Sequence, residues 1–184
     1  MPNRQEAWLL LCEWTQSEAL RKHALGVEAA MRAMAAQRGG DAEVWGLTGL
    51  LHDFDYERYP TVPEHATKGA AVLREKGYPE DVVTAILGHA SYTGVPREST
   101  MAKALFACDE LVGFLFACAY VQPDRKMASV KPESAKKKLK DKSFARGVNR
   151  EEVVQGAQEL GVDLLEHIAF VRGALVGSAD ALGL

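Results

Sequence analysis

Apolar positions along this chain recur at three- and four-residue steps, and no stretch alternates as a half-buried strand would, so the pattern predicts an all-α fold. From Ser17 the first clear stripe carries Leu20, Val27, Met31 and Met34, with Arg21, Glu28 and Arg32 assigned to the polar side. His23 falls on the apolar stripe, between Leu20 and Val27, which points it inward. Arg38-Gly39-Gly40-Asp41 stops that helix and starts another, with glycine for the stop and Asp41 as N-cap. The new helix turns Val44, Leu47, Leu50 and Leu51 inward and delivers His52-Asp53 at its C-terminal end.

Phe54 to Pro60 is an aromatic, charged loop that cannot stay helical through Pro60. Thr61-Val62-Pro63-Glu64 has capping-box spacing, which puts His65 in the first turn of the next helix. Gly69, one turn on, would leave a notch beside it through which an ion or phosphate could approach. That helix stops at Gly77, and Pro79-Glu80-Asp81 opens another whose core face, Val82, Val83, Ile86 and Leu87, leads to His89. Ser91 to Pro96 is a loop by composition. Ser99 or Thr100 caps a long apolar helix to about Val121, with Leu105, Val112 and Phe116 on a stripe that also carries Asp109. After Gln122-Pro123-Asp124 and a basic stretch, one helix runs from Asn149 to Gly161 and a last one starts at Asp163, carrying Ile168, Val171, Leu175 and Val176. No internal repeat interrupts this order.

Length and composition add limits. A chain of 184 residues with 47% apolar content fits a single domain, 1–184, with a sizeable core. The formal charge of −3 disfavours nonspecific nucleic-acid binding by the chain as a whole. Residues 131–150, however, hold eight Lys or Arg against Glu133 and Asp141, a local +6 that leaves −9 for the remainder. Three cysteines, Cys12, Cys108 and Cys118, lack CxxC spacing and sit in apolar contexts, as free thiols of a reducing, cytoplasmic setting do. The N-terminus has no signal-peptide core, and Asp109 and Glu110 argue against a membrane span in the long apolar run.

The chemistry concentrates in one window. His23, His52, His65 and His89 fall there with Asp53 and Asp109, and His167 lies outside it as a structural or solvent-exposed residue. Imidazole and carboxylate are ordinary ligands for a divalent transition metal. An unpaired Asp109 on an apolar stripe would cost several kcal/mol or take up a proton, and a metal removes that cost. No glycine-rich phosphate loop, GxSxG elbow or kinase signature offers another route to catalysis.

The order His23, then His52-Asp53, then Asp109, with His65 and His89 between, resembles the signature of the HD superfamily of metal-dependent phosphohydrolases over roughly residues 20–122. The resemblance implies a helical bundle of about five core helices, on which the basic segment 131–150 and the C-terminal helices 150–182 are expected to pack. It further implies a principal ion held by His23, His52, Asp53 and Asp109. In dinuclear members the doublet aspartate, here Asp53, bridges to a second ion bound by His65 and His89. With one ion only, His65 and His89 become phosphate contacts or general acids.

Such an ion lowers the pKa of a water and polarises a phosphoryl oxygen, so the expected activity is hydrolysis of a small phosphate ester, a nucleotide first among them. The ion could be Mn, Fe, Zn, Co, Ni or Mg. The same ligand set also resembles that of di-iron oxygenases, and a third reading is a non-catalytic nucleotide-sensing or partner-binding module. The basic segment has three readings: a solvated helix and loop, a source of substrate-phosphate contacts through Lys137 or Arg146, or a docking patch for nucleic acid or an acidic protein. The last ranks lowest, because Phe144 is its only aromatic. Oligomeric state is not legible.

Overall fold

Ten α-helices and two short 3₁₀ turns make up the regular structure of this computed structural model, which describes residues 2–184; no strand occurs among the described residues. In chain order the helices are α1 (Arg4–Trp14), α2 (Glu18–Arg38), α3 (Ala42–Leu51), α4 (Thr67–Glu75), α5 (Glu80–His89), α6 (Thr100–Tyr120), α7 (Pro132–Lys138), α8 (Arg150–Leu160), α9 (Leu164–Gly177) and α10 (Ala179–Leu182). The chain divides into two compact units, and the boundary falls inside α6, after Leu105.

Capping follows the sequence closely. Asp41 accepts from the backbone N–H groups of Glu43 and Val44, and Asn149 and Asp163 do the same for α8 and α9. Ser99 Oγ accepts from Ala102 N at 3.1 Å, which decides between the two possible caps of α6. Helix α1 was not marked by the periodicity. Ala7, Leu10 and Leu11 form a buried stripe there, but exposed Leu9 and half-buried Trp8 beside them blur the pattern. A capping box between Asn3 and Glu6 starts this helix.

In the first unit α3 is the centre: α2 packs chiefly on it, and α1 and α5 also lean against it. Every residue from Trp45 to Leu51 is buried, as befits a helix apolar nearly all round. Glu28 departs from its expected place on the polar side of α2. It is buried, and its carboxylate accepts from Arg4 at 2.7 and 2.8 Å and from Arg32 at 3.0 Å. The partner Arg4 lies on the helix the periodicity missed, which is why the sequence pattern gave no reason to bury Glu28.

The loop after α3 is fastened to the α1–α2 junction. Thr15 Oγ1 donates to the Phe54 carbonyl at 3.0 Å in a buried bond, Arg58 donates to the Glu13 carbonyl at 2.8 Å, and Glu57 accepts from Gln16 N and from Ser17 N. The Arg58 guanidinium also lies 4.1 Å from the centre of the Trp14 ring. These bonds hold in place a segment that lacks helix of its own.

In the second unit, Gly156 brings α8 against α6: a Cβ at 156 would stand 2.6 Å from Ala107 Cα, so only glycine permits that approach. His167 is buried and directs Nε2 at the Ala107 carbonyl, 2.9 Å away, which settles it as structural. The basic segment is ordered. Arg150 donates to the carbonyls of Asp141, Ala145 and Val148 at 3.0, 3.3 and 3.0 Å and to that of Phe144, winding the 141–148 loop about its guanidinium. Among the described residues, no helix is long and apolar enough to cross a membrane.

Candidate metal centre

The doublet sits where α3 gives out. His52 is the residue just past the helix, fully buried, and its Nδ1 lies 2.8 Å from the Gly49 carbonyl oxygen. A carbonyl only accepts, so Nδ1 carries the proton and Nε2 is left for another partner. His52 Nε2 lies 3.6 Å from Asp53 Oδ2.

His89 repeats the arrangement at the last residue of α5. Its Nδ1 donates to the Ile86 carbonyl and its Nε2 lies 3.1 Å from Asp53 Oδ1. His65 makes the third instance: Nδ1 lies 2.9 Å from Asp55 Oδ1 and Nε2 lies 3.1 Å from Asp53 Oδ1. Three imidazoles thus commit Nδ1 to an oxygen and turn Nε2 toward one carboxylate. The rings of His23 and His52, His52 and His89, and His89 and His65 follow one another at 5.3, 5.2 and 5.5 Å between centroids.

With Nδ1 already a donor, an Nε2 can face a carboxylate oxygen only as the second N–H of an imidazolium or across a shared cation. The electrostatics without a metal agree. Burial works against the Asp53 carboxylate, yet His52 and the hydrogen bonds from His65 and His89 hold it well below the ordinary carboxylate range. Burial likewise works against a charged His65, but its hydrogen bonds to Asp53 and Asp55 prevail and push it up to about 9. Asp53, His65 and His89 are grouped closely enough for one ligand atom from each to meet a single ion. The donor set of two imidazole nitrogens and a carboxylate suits a divalent transition metal.

Two details differ from the sequence reading. Helix α4 begins at Thr67, not at Thr61, so His65 belongs to the turn before it. The Thr61 carbonyl accepts from Glu64 N and His65 N, the Val62–Pro63 peptide is cis, and Ala66 takes a positive φ of 60°. The capping-box spacing is present without the capping box, because the chain there follows a turn that brings His65 back over Asp53. Nor does Gly69 leave a notch open to an ion. Its N–H donates to Asp55 Oδ2 at 2.7 Å, and a Cβ would lie 2.8 Å from that carboxylate.

Asp55 is therefore the residue that reading residue by residue overlooked. It is 1% exposed and spends both oxygens, one on His65 and one on Gly69. The signal was the Asp53-Phe54-Asp55 spacing, combined with the question of what orients the far nitrogen of His65. Tyr92 adds a bond from its hydroxyl to the His65 carbonyl at 3.2 Å, and the Tyr56 ring stands edge-on to His65 with centroids 5.2 Å apart. Both tyrosines are exposed at the rim.

His23 is half-buried on α2 beside His52. Asp109 is half-buried on α6 and belongs to the second unit, as do Lys137 on α7 and Arg146 in the loop that follows, both exposed. Comparison with known proteins bears on the same stretch. The family model for the HD domain matches residues 20–112. The crystal structure of the HD domain of the L. monocytogenes phosphodiesterase PgpH superposes with a TM-score of 0.56 at 14% identity, covering 97% of this chain and 99% of that one, a likeness of fold. The histidines and aspartates in question begin at His23 and the match spans just over half of the chain, which belongs to the HD domain family.

Proposed function

We propose that this protein is a metal-dependent phosphohydrolase that cleaves a small phosphate ester, with nucleotides as the first substrate class. The observation that carries this reading is the common orientation of His52, His65 and His89, each anchored through Nδ1 and turned through Nε2 toward Asp53. Metal-ligating histidines are characteristically held this way, the far nitrogen fixed by an oxygen acceptor. Membership of the HD family, and a structural relative that is a phosphodiesterase, support phosphate-ester hydrolysis over other metal chemistry.

In this reading Asp53, His65 and His89 would hold one divalent ion, and His23 and His52 would contribute ligands to another. When bound, a divalent ion at such a centre lowers the pKa of a water and polarises a phosphoryl oxygen. Asp53 has a side chain 24% exposed against 0% for His52, so solvent reaches the carboxylate and not the His52 ring. His89 keeps Nδ1 on the Ile86 carbonyl, so Nε2 is the nitrogen it offers to the ion. Tyr92, its phenol pushed up to about 12 by burial and the charges of Asp55 and Asp53, stays a hydrogen-bond donor at the rim. Lys137 and Arg146 are proposed to neutralise the substrate's phosphate.

The test is elemental analysis of protein purified without chelator or affinity metal, followed by phosphate-release assays across nucleotides. The expected result is one or two ions of Mn, Zn, Co or Ni per chain and metal-dependent release, lost in Asp53→Ala with helical content unchanged. Two ions of iron with oxygen uptake would replace this reading with the di-iron oxygenase. A protein that binds no metal on addition would instead be a nucleotide-sensing or partner-binding module.

A further inference from the structure

Of the three histidines turned toward Asp53, His65 is the one that no helix delivers. His52 follows directly on α3 and His89 ends α5, so in both the anchoring carbonyl belongs to the residue three positions back in the ligand's own helix. His65 sits in a turn, and its Nδ1 reaches instead to a side chain ten residues earlier. That side chain, Asp55, is buried and accepts a second bond at Oδ2 from the Gly69 N–H in the first turn of α4.

The geometry points to Asp55 as a positioning residue for the metal centre. One carboxylate holds both the loop that presents His65 and the helix that follows, and fixes the tautomer that leaves His65 Nε2 toward Asp53. The inference rests on the proposed metal reading. Gly69 is part of the same device. The space a Cβ would need at 69 is occupied by Asp55 Cγ and Oδ2 at 2.8 Å and by Phe54 Cε1 at 2.9 Å, so the glycine is what lets the carboxylate come within reach of the backbone. Asp53 and Asp55, separated by buried Phe54, thus address opposite nitrogens of the same imidazole.

Asparagine at 55 has one acceptor where aspartate has two. It can satisfy Gly69 N–H or His65 Nδ1–H, and the NH₂ group then faces the other. If the oxygen stays on Gly69, the amide donates to His65 Nδ1 and forces the proton to Nε2, the atom the ion needs.

The test titrates Mn²⁺ alone into the metal-free full chain by calorimetry and counts ions per chain, for wild type, Asp55→Asn, Gly69→Ala and His65→Ala. Gly69→Ala keeps every polar group while pressing on the carboxylate and the edge of the Phe54 ring, so it serves if Asp55→Asn fails to fold. The expected result is that Asp55→Asn and Gly69→Ala weaken Mn²⁺ binding at the His65 position about 10- to 100-fold, with the other ion unaffected. A protected His65 Nδ1 proton resonance in the wild type loaded with diamagnetic Zn²⁺ should be absent in Asp55→Asn. If His65→Ala loses an ion while both other variants bind like wild type and keep that resonance, the positioning role is overturned and the metal reading stands. If His65→Ala binds Mn²⁺ as wild type does, the metal reading at this position fails and the inference falls with it.

Discussion

Arg4 places its Nε 2.7 Å and one terminal nitrogen 2.8 Å from the two oxygens of Glu28, a two-pronged pair that joins α1 to α2. The Glu28 side chain is 5% exposed and Arg4 44%, so the carboxylate is the member that cannot turn to water. Removing Arg4 leaves Glu28 held by Arg32. Arg4→Ala should therefore cost only about 1 kcal/mol. Removing the carboxylate leaves two guanidiniums that still reach solvent, so Glu28→Ala should cost about 2 kcal/mol, below the 3–5 of a fully buried broken pair. Urea unfolding of the two variants checks the order, and a larger loss for Arg4→Ala would contradict it.

Thr15 is 1% exposed and its hydroxyl donates to the Phe54 carbonyl beside the doublet. Thr15→Val keeps the shape and withdraws the donor from a buried acceptor, a loss of about 1–2 kcal/mol. For a chain of this size that lowers Tm by roughly 2–8 °C. The bond also anchors the loop bearing Asp53 and Asp55, so Mn²⁺ affinity should fall in the same variant. Unchanged affinity with a lowered Tm would show that the loop is held well enough by Glu57 and Arg58.

The metal-free site should bind metal more tightly as pH rises. His65 stands at about 9 without a metal, against 6.5 for a free imidazole, so at pH 7 an ion must displace its proton. Affinity then climbs by up to about tenfold per pH unit toward 9 for that one proton. The linked stability has the opposite sign. A raised histidine stabilises the metal-free fold fully below 6.5, and that contribution is lost as pH rises through 9. Melting curves between pH 6 and 9.5 should show the metal-free protein losing stability over that window while the loaded protein holds. Proton release is measurable by titrating Mn²⁺ in buffers of different ionisation enthalpy.

Thiol chemistry should separate the three cysteines. Burial pushes Cys108 up to about 12, assisted by the neighbouring Asp109 charge, and burial pushes Cys118 up to about 11 against the opposing effect of Lys138. Cys12 is half-buried. At pH 8 a chromogenic disulfide reagent should modify Cys12 first and reach the other two only on unfolding, because the thiolate is the reactive species. Fast modification of all three in the folded protein would contradict this.

The sequence by itself determined the helical class, most helix ends and which residue types gather in one window. These are local properties: periodic apolar positions, Asp41, Asn149 and Asp163 as caps, stops at Gly39 and Gly161, and four histidines with Asp53 and Asp109 between residues 23 and 109. Only the tertiary structure decided what depends on partners far along the chain. Glu28 is buried because Arg4 and Arg32 neutralise it, and helical periodicity carries no information about a neutralising side chain on another helix. His65 is a turn residue, because the run from Asp53 to Gly69 closes on itself through Asp55, and a capping-box spacing cannot announce that Ala66 will take a positive φ and delay the helix to Thr67. Which nitrogen of each histidine faces Asp53 was likewise settled by an oxygen supplied by the fold: the carbonyls of Gly49 and Ile86, and the carboxylate of Asp55.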